Sequence, residues 1–99
     1  MILINQNKET IKRLCEIHNV EKLYLFGSAT TPKFNEESDI DLLVKFKSSD
    51  LKLYFLNYID FKNKLRNLLQ REIDLVEEQT LKNPYLISSI EENKELIYG

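Results

Sequence analysis

The sequence predicts an α/β (α+β) fold, a small mixed sheet of three strands flanked by helices. Two short apolar runs bounded by turn residues read as strands, Leu23 to Phe26 and Asp39 to Phe46. Between about residues 50 and 70 apolar side chains recur at helical spacing. A third strand-like run, "REIDLVE", follows directly. A helix between two strands is what a sheet with a covering layer needs.

The first element is a helix over about residues 7–19, with Ile11, Leu14, Cys15 and His18 on one stripe and Asn7 or Lys8 near its start. Gly27 ends the first strand. The polar, Pro-containing stretch "SATTPKFNEES" is a loop whose first residues can form a helical turn. The long helix carries Leu51, Phe55, Tyr58, Ile59, Lys62, Leu65, Leu68 and Leu69 along one stripe. Pro84 opens a final helix holding Leu86, Ile87, Ile90 and Ile97. No repeat, linker or low-complexity tract divides the chain, so residues 1–99 read as a single domain.

At 99 residues, 42% hydrophobic and 30% charged, the chain has the balance of a soluble globular domain rather than a disordered one. No apolar run approaches the ~20 residues that span a bilayer, and no basic segment precedes an apolar one at the N-terminus. Neither a membrane nor a secretory role is expected. The single cysteine, Cys15, rules out an internal disulfide framework and fits a reducing cytoplasm. The net charge is −2 and the basic residues are scattered among acids, whereas a nucleic-acid binder carries a basic stripe.

Two carboxylates, Asp39 and Asp41, open an otherwise apolar strand. Strand side chains alternate, so both leave one face with Cα atoms ~6.5–7 Å apart, while Ile40, Leu42, Val44 and Phe46 leave the other. By the same parity Ile73 and Leu75 face the core and Asp74 faces away, which gathers three aspartates on one face of the sheet. Carboxylates brought together raise a pKa at a cost in free energy, and a hard divalent cation with oxygen ligands removes that cost. Two such ions ~3.5–4 Å apart clamp the attacking and leaving oxygens of a phosphoryl or nucleotidyl transfer. Gly27-Ser28 fits the same device. Glycine at a strand end lets a phosphate approach backbone N–H groups with no Cβ in the way, and Ser28 adds a hydroxyl donor. Each piece alone has a bland reading: a turn for Gly-Ser, a solvated pair or helix cap for Asp-x-Asp. Together at this spacing they occur by chance in about one chain in a hundred of this length.

Phe26-Gly27-Ser28, ten residues, Asp39-Ile40-Asp41-Leu42, and Asp74 in a later strand resemble the DNA polymerase beta-like nucleotidyltransferase superfamily. With its short length and the ending "NPYLISSIEENKELIYG", the chain resembles more narrowly the minimal nucleotidyltransferases of bacteria and archaea. That resemblance covers nearly the whole chain. It implies a palm-like fold in which Asp39 and Asp41 hold two Mg²⁺ ions, with Mn²⁺ as a substitute. Asp74 would complete the site of the ion that activates the acceptor hydroxyl, and Gly27 and Ser28 would bind the β- and γ-phosphates of ATP. No separate general base is implied. Relatives often carry Arg-Gly shortly after Gly-Ser, where this chain has Thr31-Pro32. A phosphate-contacting cation is therefore missing or supplied elsewhere, with Lys33 and Lys45 as candidates.

The resemblance also implies the acceptor. Polymerases and tRNA-end-adding enzymes of the superfamily carry further domains for template or tRNA, and aminoglycoside nucleotidyltransferases a helical one. A minimal enzyme must find its acceptor on a partner: a small helical ribonuclease toxin of the higher eukaryotes and prokaryotes nucleotide-binding (HEPN) class, bound as a hetero-oligomer. Relatives neutralise such a toxin by transferring AMP from ATP to a tyrosine. Two other readings stand beside this one, an antitoxin that acts by binding alone and a transferase for a small-molecule acceptor.

The remaining chemistry-bearing residues have structural readings. His18 and Cys15 lie on the apolar stripe of the first helix; His18 reads as packed or surface rather than a ligand, and Cys15 as core. Tyr54, Phe55, Tyr58 and Phe61 read as core and partner-facing surface rather than a base-stacking platform. Glu72 shares the parity of Asp74 but reads as a solvated acid, and Glu36 and Glu37 belong to the loop.

Overall fold

Alternation in the second strand sets the layers. The computed structural model describes residues 2–30, 35, 37–47 and 50–99, with the side chains of Ser28, Ala29 and Leu51 outside that description. Its elements are α1 (Ile2–Gln6), α2 (Lys8–Ile17), β1 (Val20–Phe26), a 3₁₀ turn (Gly27–Thr30), β2 (Ile40–Phe46), α3 (Leu51–Leu69), β3 (Ile73–Glu77), a second 3₁₀ turn (Glu78–Thr80), α4 (Pro84–Asn93) and β4 (Glu95–Tyr98). Among the described residues the sheet has the order β3-β2-β1-β4. β1 runs antiparallel to both β2 and β4, and β2 runs parallel to β3, with α3 as the crossover. The mixed α+β class is as the sequence predicts.

Ile40, Leu42, Val44 and Phe46 leave β2 on the face that also holds Leu23, Leu25, Ile73 and Leu75, and all eight are buried. Ile11 and Cys15 of α2 and Phe61, Leu65 and Leu69 of α3 close that face into one core. Two helix starts are capped by side chains. Asp50 accepts from the Lys52 amide at 2.9 Å, and Asn83 accepts from the Tyr85 amide at 2.9 Å with Pro84 at the first helical position. Gln70 ends α3 in the left-handed region, at φ 54°, returning its N–H to the Arg66 carbonyl at 2.8 Å.

Several sequence expectations need correction. The sheet has a fourth strand. Ile97 does not continue the last helix but lies in β4, because the helix ends at Asn93 and Glu95, Leu96 and Tyr98 pair with Leu25, Tyr24 and Leu23 of β1. A short apolar run carries no decisive period, and pairing on an open strand edge settles it. A short helix, α1, precedes the predicted first one and buries Ile4. The stripe of α3 is also rotated: Phe61, Leu65 and Leu69 are buried, whereas Phe55 is 67% exposed and Ile59 is 37% exposed. The face opposite the core is not wholly open either. Leu43 is buried there, beside Leu81, Ile87 and Ile90 of the α4 segment.

His18 packs as its stripe implies. It caps α2, stacks at 5.2 Å on the Phe61 ring, and engages both ring nitrogens. Nδ1 lies 2.7 Å from the Leu14 carbonyl oxygen, and Nε2 lies 2.6 Å from Asp60 Oδ2 on α3. Both ring nitrogens therefore have an oxygen partner within hydrogen-bond distance. Asn57 Nδ2 donates to the His18 carbonyl at 2.7 Å, a second tie between the same two helices.

Candidate active site

β1, β2 and β3 carry the candidate residues to one end of the sheet. Phe26 pairs with Asp41 across β1 and β2, and Asp41 pairs with Asp74 across the parallel β2 and β3. Adjacent strands lie ~4.8 Å apart, so the last two carboxylates leave neighbouring backbone positions on the same face. Asp41 is half-buried and Asp74 exposed. Asp39 is exposed and stands one residue ahead of β2, outside the ladder.

Gly27 closes over this row. Its φ is 71°, and a Cβ placed on it would lie 2.2 Å from Asp41 Oδ2 and 3.0 Å from Asp41 Cγ. A side chain at position 27 would therefore collide with the Asp41 carboxylate where it now sits, and glycine leaves that space to it. Thr30 Oγ1 donates to the Gly27 carbonyl at 2.8 Å and closes the 3₁₀ turn. The backbone of Ser28 lies in that turn, and its side chain is outside the described residues, as are Thr31, Pro32, Lys33 and Glu36.

Lys45 does not serve the phosphate end. Its Nζ pairs with Glu21 at 3.2 Å, and it stands four residues along β2 from Asp41, ~13 Å away. Glu72 is a surface acid 4.0 Å from Arg66, while its backbone carbonyl accepts from the Ile40 amide at 2.9 Å.

The donor set suits a hard cation. Asp39, Asp41 and Asp74 offer only carboxylate oxygens, the ligands Mg²⁺ and Mn²⁺ take. Among the described residues, no three His, Cys, Asp or Glu side chains converge on one point as a ready coordination group. Like charges sit apart unless a cation bridges them. The backbone register brings Asp41 and Asp74 beside one another, and Asp39 precedes that ladder.

Two supporting contacts lie beyond what sequence reasoning finds. Tyr58 of α3 donates its hydroxyl to the Leu75 carbonyl, bracing β3 one residue past Asp74. Burial raises the Tyr58 pKa, and the charges of Asp74 and Glu77 raise it further. Arg71 Nη2 donates to the Asn35 carbonyl at 2.7 Å and also to the Ser38 carbonyl. A cleft of about 410 Å³ opens there, lined by Asp39, Arg66, Asn67, Gln70, Arg71 and Glu72 among others. Neither contact has a sequence signal, since both end on backbone carbonyls.

Gly27 thus stands against Asp41, and Asp74 lies in register with Asp41 on the next strand. The chain belongs to the nucleotidyltransferase domain family, whose model matches residues 7–97. A relative in Methanocaldococcus jannaschii, provisionally named a protein adenylyltransferase, is 34% identical over 96 residues, covering 97% of this chain and 90% of its own. A solved structure provisionally named a minimal nucleotidyltransferase superposes with a TM-score of 0.76 at 28% identity, covering 92% of this chain and 89% of that one. The fold is also that of a complex described as a tri-AMPylated Shewanella oneidensis HEPN toxin with its MNT antitoxin, at TM-score 0.66 and 21% identity, covering 97% and 72%.

Proposed function

We propose that this protein is the antitoxin of a toxin–antitoxin pair and transfers AMP from Mg²⁺-ATP to a tyrosine hydroxyl of a helical HEPN ribonuclease toxin. The observation that carries the reading is the Asp41 carboxylate, in the space that Gly27 leaves on one side and in register with Asp74 on the other. The M. jannaschii relative's name and the AMPylated toxin in the structural neighbour support the reaction and the acceptor.

In this reading Asp39 and Asp41 would hold two divalent cations and Asp74 would complete the site of one of them. When bound, such ions would supply charge neutralisation and a lowered pKa for the acceptor hydroxyl. Gly27 and Ser28 take the β- and γ-phosphates against backbone N–H groups. The tyrosine oxygen bonds to the α-phosphorus, the bond from that phosphorus to the bridging oxygen breaks, pyrophosphate leaves, and the hydroxyl proton passes to water. Residues 1–99 act as one catalytic unit in the cytoplasm, bound to the toxin. Among the described residues no helix is long and apolar enough to cross a membrane.

The test mixes the purified chain with the helical protein encoded beside it, Mg²⁺ and ATP, and weighs both proteins. A mass gain of one or more AMP units on the partner is expected. A partner that is bound and inhibited without any mass gain would replace the catalytic reading with binding alone.

A further inference from the structure

Asp39 is the one candidate ligand that no strand holds. It precedes β2, so neither the β2–β3 ladder nor the Gly27 contact fixes it. What flanks it is fixed. Arg71 Nη2 donates to the carbonyl of Ser38, immediately before Asp39, and to that of Asn35. The Ile40 amide, immediately after, donates to the Glu72 carbonyl at 2.9 Å. Residues 71 and 72 therefore grip the backbone on both sides of Asp39, and the same segment continues into β3 with Asp74.

The turn so gripped is itself closed. Ser38 N donates to the Asn35 carbonyl at 3.1 Å, Asn35 N donates to Ser38 Oγ at 3.2 Å, and Glu37 N donates to Asn35 Oδ1 at 2.8 Å. Arg71 ties the carbonyls of Asn35 and Ser38 to the segment that leads into β3. A charged donor on two carbonyls makes a strong tie of fixed geometry.

We propose that Arg71 is a positioning residue for the cation–nucleotide site: by holding the carbonyls of Asn35 and Ser38 it sets Asp39 at a fixed distance from Asp74. This rests on the nucleotidyl-transfer reading for the identity of the ligand. Groups that orient a metal ligand from behind typically change metal affinity about 10- to 100-fold when removed.

The probe is Mn²⁺ with an α,β-methylene ATP analogue, which cannot yield AMP, and binding is read by equilibrium dialysis as the Mn²⁺ retained with the protein over a protein-free control holding the same analogue. Arg71→Ala is expected to weaken Mn²⁺ binding about 10-fold or more. Arg66→Ala, in the same cleft but on no backbone carbonyl around Asp39, is expected to bind as wild type. Hydrogen exchange at the Ile40 amide, held by Glu72 and not by the guanidinium, reports whether the strands still pair. Arg71→Lys keeps the charge without the planar fork; it is expected to weaken binding in the same sense, and it decides the matter if Arg71→Ala does not fold. Wild-type affinity in both Arg71 variants, or weakening matched by an equal loss of Ile40 protection, would overturn the proposal. So would a wild type that binds no Mn²⁺. A wild type whose Mn²⁺ affinity depends on Arg71 but which transfers no AMP to its partner upholds the positioning role and removes only the transfer reading.

Discussion

The backbone of Gly27 and the carboxylate of Asp41 are in such close contact that a single Cβ at position 27 would fall 2.2 Å from Asp41 Oδ2. Gly27→Ala has two consequences. The left-handed φ of 71° strains an alanine by ~1–2 kcal/mol. The carboxylate, the movable partner, must also swing away. Thermal unfolding is expected to show a loss of about that size, while AMP transfer falls far more, by about 100-fold, since a displaced ligand carboxylate acts directly on the reacting site. An alanine variant with near-wild-type transfer would show that the contact does not set Asp41.

Asp39→Asn, Asp41→Asn and Asp74→Asn each remove one negative charge without changing shape. Without ligand, Asp39→Asn and Asp74→Asn are expected to melt within about 0.5 kcal/mol of wild type, because both side chains are exposed. With Mg²⁺-ATP at about 100-fold its Kd, wild type is expected to gain ~2.7 kcal/mol, and the three variants much less. All three are expected to bind the partner and to leave its mass unchanged. If the chain is an AMP-transferring antitoxin, the three variants are expected not to protect cells. Full protection by the triple variant would leave binding as the whole mechanism.

Cys15 is fully buried against the sheet, and burial, with the Glu16 charge adding to it, pushes its thiol pKa up to about 12. At pH 8 the native thiol is therefore almost entirely protonated and out of reach. Labelling by iodoacetamide is expected to proceed only as fast as the fold opens, and to become rapid in denaturing urea. Fast labelling of the native protein would contradict the packing of α2 on the sheet.

Parity makes the neighbourhood of Asp41 and Asp74 readable. The apolar residues at 40, 42, 44 and 46 share a buried face, which leaves Asp41 on the other beside its register partner Asp74, while Asp39 lies ahead of β2 and outside the ladder. The strand pairing that sets Asp41 against Asp74 follows from that and from a helix long enough to cross over. What parity cannot reach is any contact ending on a carbonyl, because every residue has one: hence Arg71 on Ser38 and Tyr58 on Leu75. Ile97 departs from the helical pattern for a different reason. Four residues are too few to show a period, and only the open edge of β1 makes them a strand. On α3 the apolar residues outnumber those the sheet can cover, so composition alone could not say that Phe55 would face out and Phe61 in.

Asp60 joins α3 to the buried end of α2, and its chemistry gives the fold an acid-sensitive contact. The hydrogen bond from His18 is the main cause that holds its carboxyl below the ordinary carboxylate range, and the bond from Lys64, at 2.9 Å, is the second. A carboxyl depressed in the folded state contributes stability above its unfolded pKa of ~3.9 and loses it as pH falls through the folded value. Asp60→Asn keeps the shape and cannot ionise. Urea unfolding of both proteins is expected to show wild type the more stable at pH 6, with the gap constant down to about pH 5 and closing below about pH 4. Part of the gap at pH 6 comes from His18, which the asparagine leaves buried against a weaker acceptor. A gap that stays the same down to pH 2 would mean that the Asp60 carboxylate contributes only as a hydrogen-bond acceptor of fixed strength, and not through its charge.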